Sequence, residues 1–283
     1  MIQSSPYIRS WRRFARNKLS VLGAVLILIV IFSAVFAPYI VPYPEHAGVT
    51  VNFADSNQPP NAKYWLGTDS VGRDVLSRIV FGFRNSLMLG AAVISIALTF
   101  GTLIGMTAAY FGGRTEAILM RMTDIFLAIP SLVLAMAILG LATPSQFYAM
   151  IAIATVWWPW HARLVYGIVR SLKHEGFVVA AEVIGASKLR IMLGELLPNC
   201  APTLLTKASL DMGFVILLGA SLSFLGMGAP PPIPDLGTMV SEGALYLPDI
   251  WWLSVMAGVG IFMIVLGFNL VADGLRDLFD IVG

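Results

Sequence analysis

Residues 19–41, LSVLGAVLILIVIFSAVFAPYIV, run for a membrane thickness without one charged side chain. A helix of about 20 mostly apolar residues crosses the hydrocarbon of a bilayer, and the pattern recurs along the chain. Residues 85–113 hold no Asp, Glu, Lys or Arg. Nor do residues 125–162, a length that suits two crossings divided at LATPSQ (141–146), where Pro144 and polar neighbours form a loop. Residues 212–234 and 250–272 supply two more runs. The sequence therefore predicts an all-α polytopic membrane protein with six spans, near 19–40, 86–110, 116–140, 147–168, 203–227 and 251–272. Composition agrees, since 12% of the 283 residues are charged against roughly 25% in soluble proteins. A net charge of +2 argues against nucleic acid as a partner, and the lone Cys200 excludes an intrachain disulfide and any paired-cysteine metal site.

Lysine and arginine set the orientation. Arg9, Arg12, Arg13, Arg16 and Lys18 precede the first span. With that end cytoplasmic, Arg114, Arg121, Arg163, Arg170, Lys173, Lys188, Arg190, Lys207 and Arg276 also fall inside. Only Lys63, Arg73, Arg78 and Arg84 remain outside. Both termini are then cytoplasmic. A signal peptide would also begin with basic residues, but its apolar core is about 7–15 residues, shorter than this one. The first span reads as a retained anchor. The chain divides into an N-terminal segment 1–18, a first membrane helix 19–41, an outer loop 42–84, a five-helix core 85–273 and a tail 274–283.

In the outer loop, Asp69/Arg73 and Asp74/Arg78 stand four apart with the acid first, the favourable order on a helix. Val71, Val75, Leu76 and Ile79 fall on one side, which predicts an amphipathic helix lying at the outer surface from about Thr68. The five-residue spacing of Asp69 and Asp74 splays them round such a helix, so paired carboxylates and not a metal site are expected.

Residues 168–200 connect spans four and five, far more than the roughly 2–8 residues of an ordinary helix connection. Phe177, Ala180, Ala181 and Ile184 recur at helical spacing. Gly185 suits the positive φ that ends a helix, and Ser187 suits the N-cap of the next. Leu189, Met192, Leu193 and Leu196 give that second helix an apolar side, and Pro198 is expected to stop it. The result is a compact cytoplasmic knob at 175–198, shaped to dock a partner.

The stretch AAEVIGASKLRIMLGELLPN (180–199) resembles the "EAA" cytoplasmic motif of permease subunits in type I ABC importers, through Ala180, Ala181, Gly185, Leu197 and Pro198. WLGTDSVGRDVLSR (65–78), AAYFGGRTEAILMRMTDIFLAIPSLVLA (108–135), SLSFLGMGAPPP (221–232) and GFNLVADGLRDLFD (267–280) are similar to the C-type permease of the dipeptide, oligopeptide and nickel branch. The resemblance implies the type I importer permease fold in a bacterial-type inner membrane, with peptides as cargo and nickel, glutathione or opines as alternatives. It implies as partners a second homologous permease, two cytoplasmic ABC ATPases and an external substrate-binding protein. Coupling to the ATPases would fall on Phe177, Ala180, Ala181, Glu182, Gly185, Ala186, Leu189, Leu197 and Pro198. One departure stands out: the family's Glu before the two alanines is Val179 here, and Glu182, nearly a turn later, is the acid left to replace it.

The chain has no phosphate-binding loop of the form G-x-x-x-x-G-K-[ST] and no Ser/His/Asp set. It is expected to hydrolyse nothing itself and to hold no cofactor, ATP and Mg belonging to the partner subunits. A secondary transporter, the distant alternative, would want inverted repeats or a chain of intramembrane acids, and Asp211 is nearly alone. Polar residues inside spans are costly and point to function. Asp211 is therefore the cavity candidate, with an ion pair to Lys207, four residues earlier, as the competing reading. Arg121 and Asp124 are expected in structural contacts, His161 and His174 at an interface or surface. Trp157, Trp158, Trp160, Trp251 and Trp252 are expected in aromatic belts, and Pro130 and Pro159 as helix kinks.

Overall fold

The computed structural model describes Phe14 and residues 17–279. Arg9, Arg12, Arg13 and Arg16 and the end of the tail lie outside the described residues. The architecture is all-α: α1 (Lys18–Val35), α2 (Ala37–Ile40), α3 (Val75–Phe111), α4 (Gly113–Ala128), α5 (Ser131–Leu139), α6 (Gln146–Leu172), α7 (Gly176–Val183), α8 (Lys188–Arg190), α9 (Leu197–Phe224), α10 (Leu236–Ala244) and α11 (Trp251–Leu278). Four helical stretches are long and apolar enough to cross a bilayer alone: α1, α3, α11 and the run Lys188–Phe224 that joins α8 to α9.

The third expected span, 116–140, is not one helix. Ile129 is extended (φ −96°, ψ 130°) and Pro130 lacks the N–H that would carry the ladder on. As a result α4 and α5 meet at 87°. They count as a fifth crossing only as a bent pair. The fourth, α6, has 27 residues, about 40 Å at 1.5 Å each, yet Trp157, Trp158, Trp160, His161 and Arg163 dilute its apolar character. Trp158 and His161 lie on the side packed against other helices, Arg163 pairs with Asp124 of α4, and Trp160 stays exposed. Six spans thus reduce to four clear ones, one broken one, and one of sufficient length but mixed composition. Pro159 sits inside α6 without ending it.

Helix α3 is the centre of the bundle. Gly101 and Gly105, a small-xxx-small pair, let it lie almost backbone to backbone on α6. A Cβ at 105 would stand 2.3 Å from the Ala162 carbonyl oxygen. Three cores line up along this axis. Val30, Ile79, Leu236, Trp252 and Ile264 fill one end, Val93, Ile153, Val215 and Leu222 the middle, and Val165, Val178, Ile191 and Leu196 the other end.

The loop before α3 differs from the surface helix the sequence predicts. Residues 68–74 form a turn, closed by an antiparallel bridge between Thr68 and Asp74, and the helix starts at Val75. Asp69 is fully buried. Its carboxylate accepts from the backbone N–H groups of Val71 and Arg73, from Arg73 Nε at 2.7 Å and from Arg78 at 2.6 Å. The four-residue spacing that suits a helix suits a carboxylate-stapled turn equally well. Asp74 does not pair with Arg78; it caps α3 by accepting from Ser77 N and Ser77 Oγ. Arg78 bridges instead to Glu242 of α10 at 3.5 Å. Trp252 donates to the Thr68 carbonyl, so it is structural, whereas Trp251 stays exposed as an interfacial ring would.

Farther out, Asp55 accepts from Lys63, Tyr64, Asn52 and Gln58. The Lys63 ammonium, then the Tyr64 hydroxyl, hold its carboxyl below the usual carboxylate range. A depressed folded-state pKa stabilises above the unfolded value of roughly 4 and is lost as pH falls through the lowered value. Amide exchange across 52–68 is therefore expected to quicken in wild type as pH drops from 6 to 3, after correction for intrinsic rates. Asp55→Asn should already exchange fast at pH 6 and change little. Equal pH dependence in the two would remove Asp55 from the account.

Candidate functional site

The knob lies where α6 gives way to α9, at the far end of the bundle from the 44–74 loop. Helix α7 closes as its sequence requires. Gly185 stands at φ +81°, Ala186 N donates to the Ala181 carbonyl, and Gly185 N donates to the Glu182 carbonyl. These bonds make a Schellman motif. Ser187 then caps α8 by accepting from Arg190 N at 3.3 Å. The next feature departs from expectation. Pro198 does not stop the helix; residues 191–196 widen into a π turn that accommodates the missing proline donor, and the chain continues unbroken into α9.

The two sides of the knob are sharply unequal. Val178, Ala181, Ile191, Leu196 and Cys200 are buried against Val165 and Val169 of α6 and against Met106 and Tyr110 of α3. Val183 and Ile184 are each 81% exposed, and Leu189 is 65% exposed. Phe177, Ala180, Gly185 and Pro198 are also exposed, while Ala186 and Leu197 are half-buried. Ala181 therefore belongs to the inner side, not to the docking face proposed from its spacing. The exposed strip is Phe177, Ala180, Val183 and Ile184, with Leu189 beyond the turn. Val183 is not among the residues that the resemblance assigns to coupling, yet its offset of three from Ala180 marks it on the same face. Glu182 turns back toward the bundle and accepts from the Tyr110 hydroxyl at 3.4 Å. Contiguous exposed apolar side chains of this kind mark a surface that another protein or a membrane covers.

Within the bundle, Asp211 is fully buried. Lys207 Nζ lies 2.6 Å from its Oδ1, and His161 Nε2 of α6 lies 3.5 Å from its Oδ2. His161 is likewise fully buried, against the expectation of an interfacial or surface residue. Its neighbours at helical spacing, Trp158, Ala162, Val165 and Val169, are all buried, so the stripe that encloses it was readable. A pocket of about 210 Å³ opens beside this group and is lined by Lys207, Thr203, Thr206, Asp273 and Arg276, not by Asp211. That geometry is the ion-pair reading of Asp211. Asp124 pairs with Arg163 of α6, and Tyr166 donates to Glu116. Both contacts fasten the mixed-charge helix α4 to α6. His174 is exposed. Among the described residues no cluster of three or more His, Cys, Asp or Glu could hold a metal.

A bundle of apolar helices that ends in a hairpin with a bare apolar tip defines a polytopic membrane protein with a surface left for another body to cover. The chain belongs to the family described as binding-protein-dependent transport system inner membrane component, whose profile matches residues 101–280. It is a multi-pass inner-membrane protein. Residues 5–60 match the N-terminal TM domain of oligopeptide transport permease C. The chain is 40% identical over 264 residues, 93% of its length and 88% of the relative's, to a probable D,D-dipeptide transport system permease protein of Escherichia coli (strain K12). It is 39% identical, across 98% of this chain and 90% of the other, to the dipeptide transport system permease protein of Alkalihalophilus pseudofirmus. A glutathione transport system permease protein of Pectobacterium atrosepticum is 34% identical, with 98% and 91% covered. Among solved structures, an inward-facing MetNI methionine ABC transporter chain matches with a TM-score of 0.56 at 16% identity, covering 70% of this chain and 96% of that one. The shared fold is that of an ABC importer's membrane subunit.

Proposed function

We propose that this chain is a permease subunit of an ATP-driven importer of di- or oligopeptides. It would form the pathway with a second homologous permease, two ATPases binding ATP and Mg on the cytoplasmic side and an external binding protein delivering cargo. The observation that carries the reading is the knob: an exposed apolar tip, Val183 and Ile184, on a hairpin whose inner side is part of the bundle core. A force applied at such a tip cannot be absorbed locally and passes into α6 and α9. ATP binding draws the two ATPases together, the seated tips follow, and the paired helices rotate to change which face of the pathway is open. Hydrolysis resets them. Peptide cargo rests on the names of the relatives, one of which transports glutathione, itself a small peptide.

Uptake of a labelled dipeptide into vesicles holding the complete assembly tests the reading. It should require ATP on the knob side and stop when ATP is withheld; uptake driven by an ion gradient alone would sink it. Orientation has its own test. With Cys200 replaced, Ser187→Cys should react with an impermeant thiol reagent only in opened cells, and Ala54→Cys in intact ones. Ala54 is preferred to Asn57, whose backbone sits at φ +55°. Labelling of Ser187→Cys in intact cells would invert the topology.

A further inference from the structure

We propose that His161 is a positioning residue for coupling: with Asp211 it forms a buried latch that makes α6 and α9 move as one body. The proposal rests on the importer reading above. Helix α6 enters the knob and α9 leaves it; the apolar contacts between them, Val165 and Val169 with Cys200 and Leu204, are non-directional, and a polar pair would fix their register. Among the described residues, His161 Nε2 and Asp211 Oδ2, 3.5 Å apart, are the one pair of polar side-chain atoms that α6 and α9 bring face to face, and neither atom has any other hydrogen-bond partner, so the pair is poised just beyond a closed bond. Both side chains are fully buried, where water offers neither group an alternative partner if the helices part.

The surroundings fix both halves. On α9, Lys207 occupies Oδ1 at 2.6 Å and leaves Oδ2 pointed at the imidazole. On the other side, α3 presses its backbone against His161. A Cβ at Gly101 would lie 2.5 Å from His161 Cβ and 2.7 Å from the Trp158 carbonyl oxygen. That approach fixes the base of the His161 side chain against α3. A third helix thus backs the base of His161 while its ring nitrogen faces Asp211. An ordinary core residue of the same size would fill the space but would leave only non-directional apolar packing between α6 and α9.

The test uses the complete assembly in vesicles and reads peptide taken up per ATP hydrolysed. His161→Leu, similar in bulk but without a ring nitrogen, should keep hydrolysing ATP while uptake per ATP falls about five-fold, a scale within that of coupling-network mutations. His161→Gln, whose amide N–H can reach Oδ2, should restore most of the ratio. An unchanged ratio in His161→Leu, or a Gln variant as poor as the Leu one, would overturn the latch. If His161→Leu does not assemble, hydrogen exchange of the wild-type assembly during turnover decides the question. Residues 158–169 and 197–215 should protect and open together, and independent opening would reject the proposal. The importer reading fails separately, when wild-type uptake proceeds without ATP.

Discussion

Gly185→Val is expected to leave the protein in the membrane and to remove most of its uptake. Gly185 holds φ +81°, and a Cβ there would meet nothing within 4 Å. The penalty is therefore backbone strain and not a clash. A left-handed conformation costs an L-residue roughly 1–2 kcal/mol, and more for a β-branched side chain. The turn can relieve that strain only by abandoning the Schellman bonds from Ala186 and Gly185, which would swing Val183 and Ile184 away from Leu189. Because about 1.4 kcal/mol is a factor of ten, uptake should fall about ten-fold or more. The series has an internal control: Gly185→Asn, tolerant of this region, should stay close to wild type, and Gly185→Ala should lie between. ATPase co-purification and uptake measured together read the result. A valine variant with wild-type values for both would show that the turn does not shape the docking surface.

The second large effect is expected at Asp211. Removing one member of a buried ion pair typically costs about 3–5 kcal/mol because the other charge is stranded. The Lys207 side chain keeps 29% exposure while Asp211 has none, so the two single variants should differ. Lys207→Met leaves a buried carboxylate facing only His161 and should lose assembled protein most severely. Asp211→Asn leaves an ammonium that can lean toward the pocket and should be milder. The double variant should assemble better than Lys207→Met alone. Yield of assembled complex and thermal midpoint for the three variants decide this. Normal assembly of Asp211→Asn, with uptake and ATP hydrolysis falling together and not rescued by Lys207→Met, would instead place Asp211 in the transport pathway.

What could be read in advance divides along physical lines. Apolar runs announce helices because the bilayer leaves the backbone no other way to satisfy itself, and the helices at 18–35, 75–111, 197–224 and 251–278 lie over the expected spans. Gly185 and Ser187 were legible because each supplies a local necessity, a positive φ and a side-chain acceptor. The misreadings come where one spacing serves two structures. Asp69 and Arg73 at i and i+4 fit a helix and also a carboxylate-stapled turn, and only the buried partner Arg78 selects between them. Pro198 looked like a terminator because a π turn, which absorbs a proline within a continuous helix, leaves no mark in a linear pattern. Pro130 broke its helix while Pro159 did not, a difference no local signal distinguished. Ala181 and Ala180 were equivalent in spacing and separated only by what packs behind them. His161 is expected at an interface or surface, although the stripe of Trp158, Val165 and Val169 around it already describes a buried face.

Helix α3 carries one last consequence. Its 37 residues make a rod of about 55 Å, roughly 25 Å longer than the hydrocarbon it crosses. One end is fastened at Asp74 and Arg78 into the loop opposite the knob, and the other reaches Tyr110, which touches Glu182 of the knob. A single uninterrupted beam thus spans both compartments. Lateral tilt at either end is shared with the other by stiffness alone, as in a rigid mast stepped through a deck, so news of an event on one side need not be relayed residue by residue to reach the other.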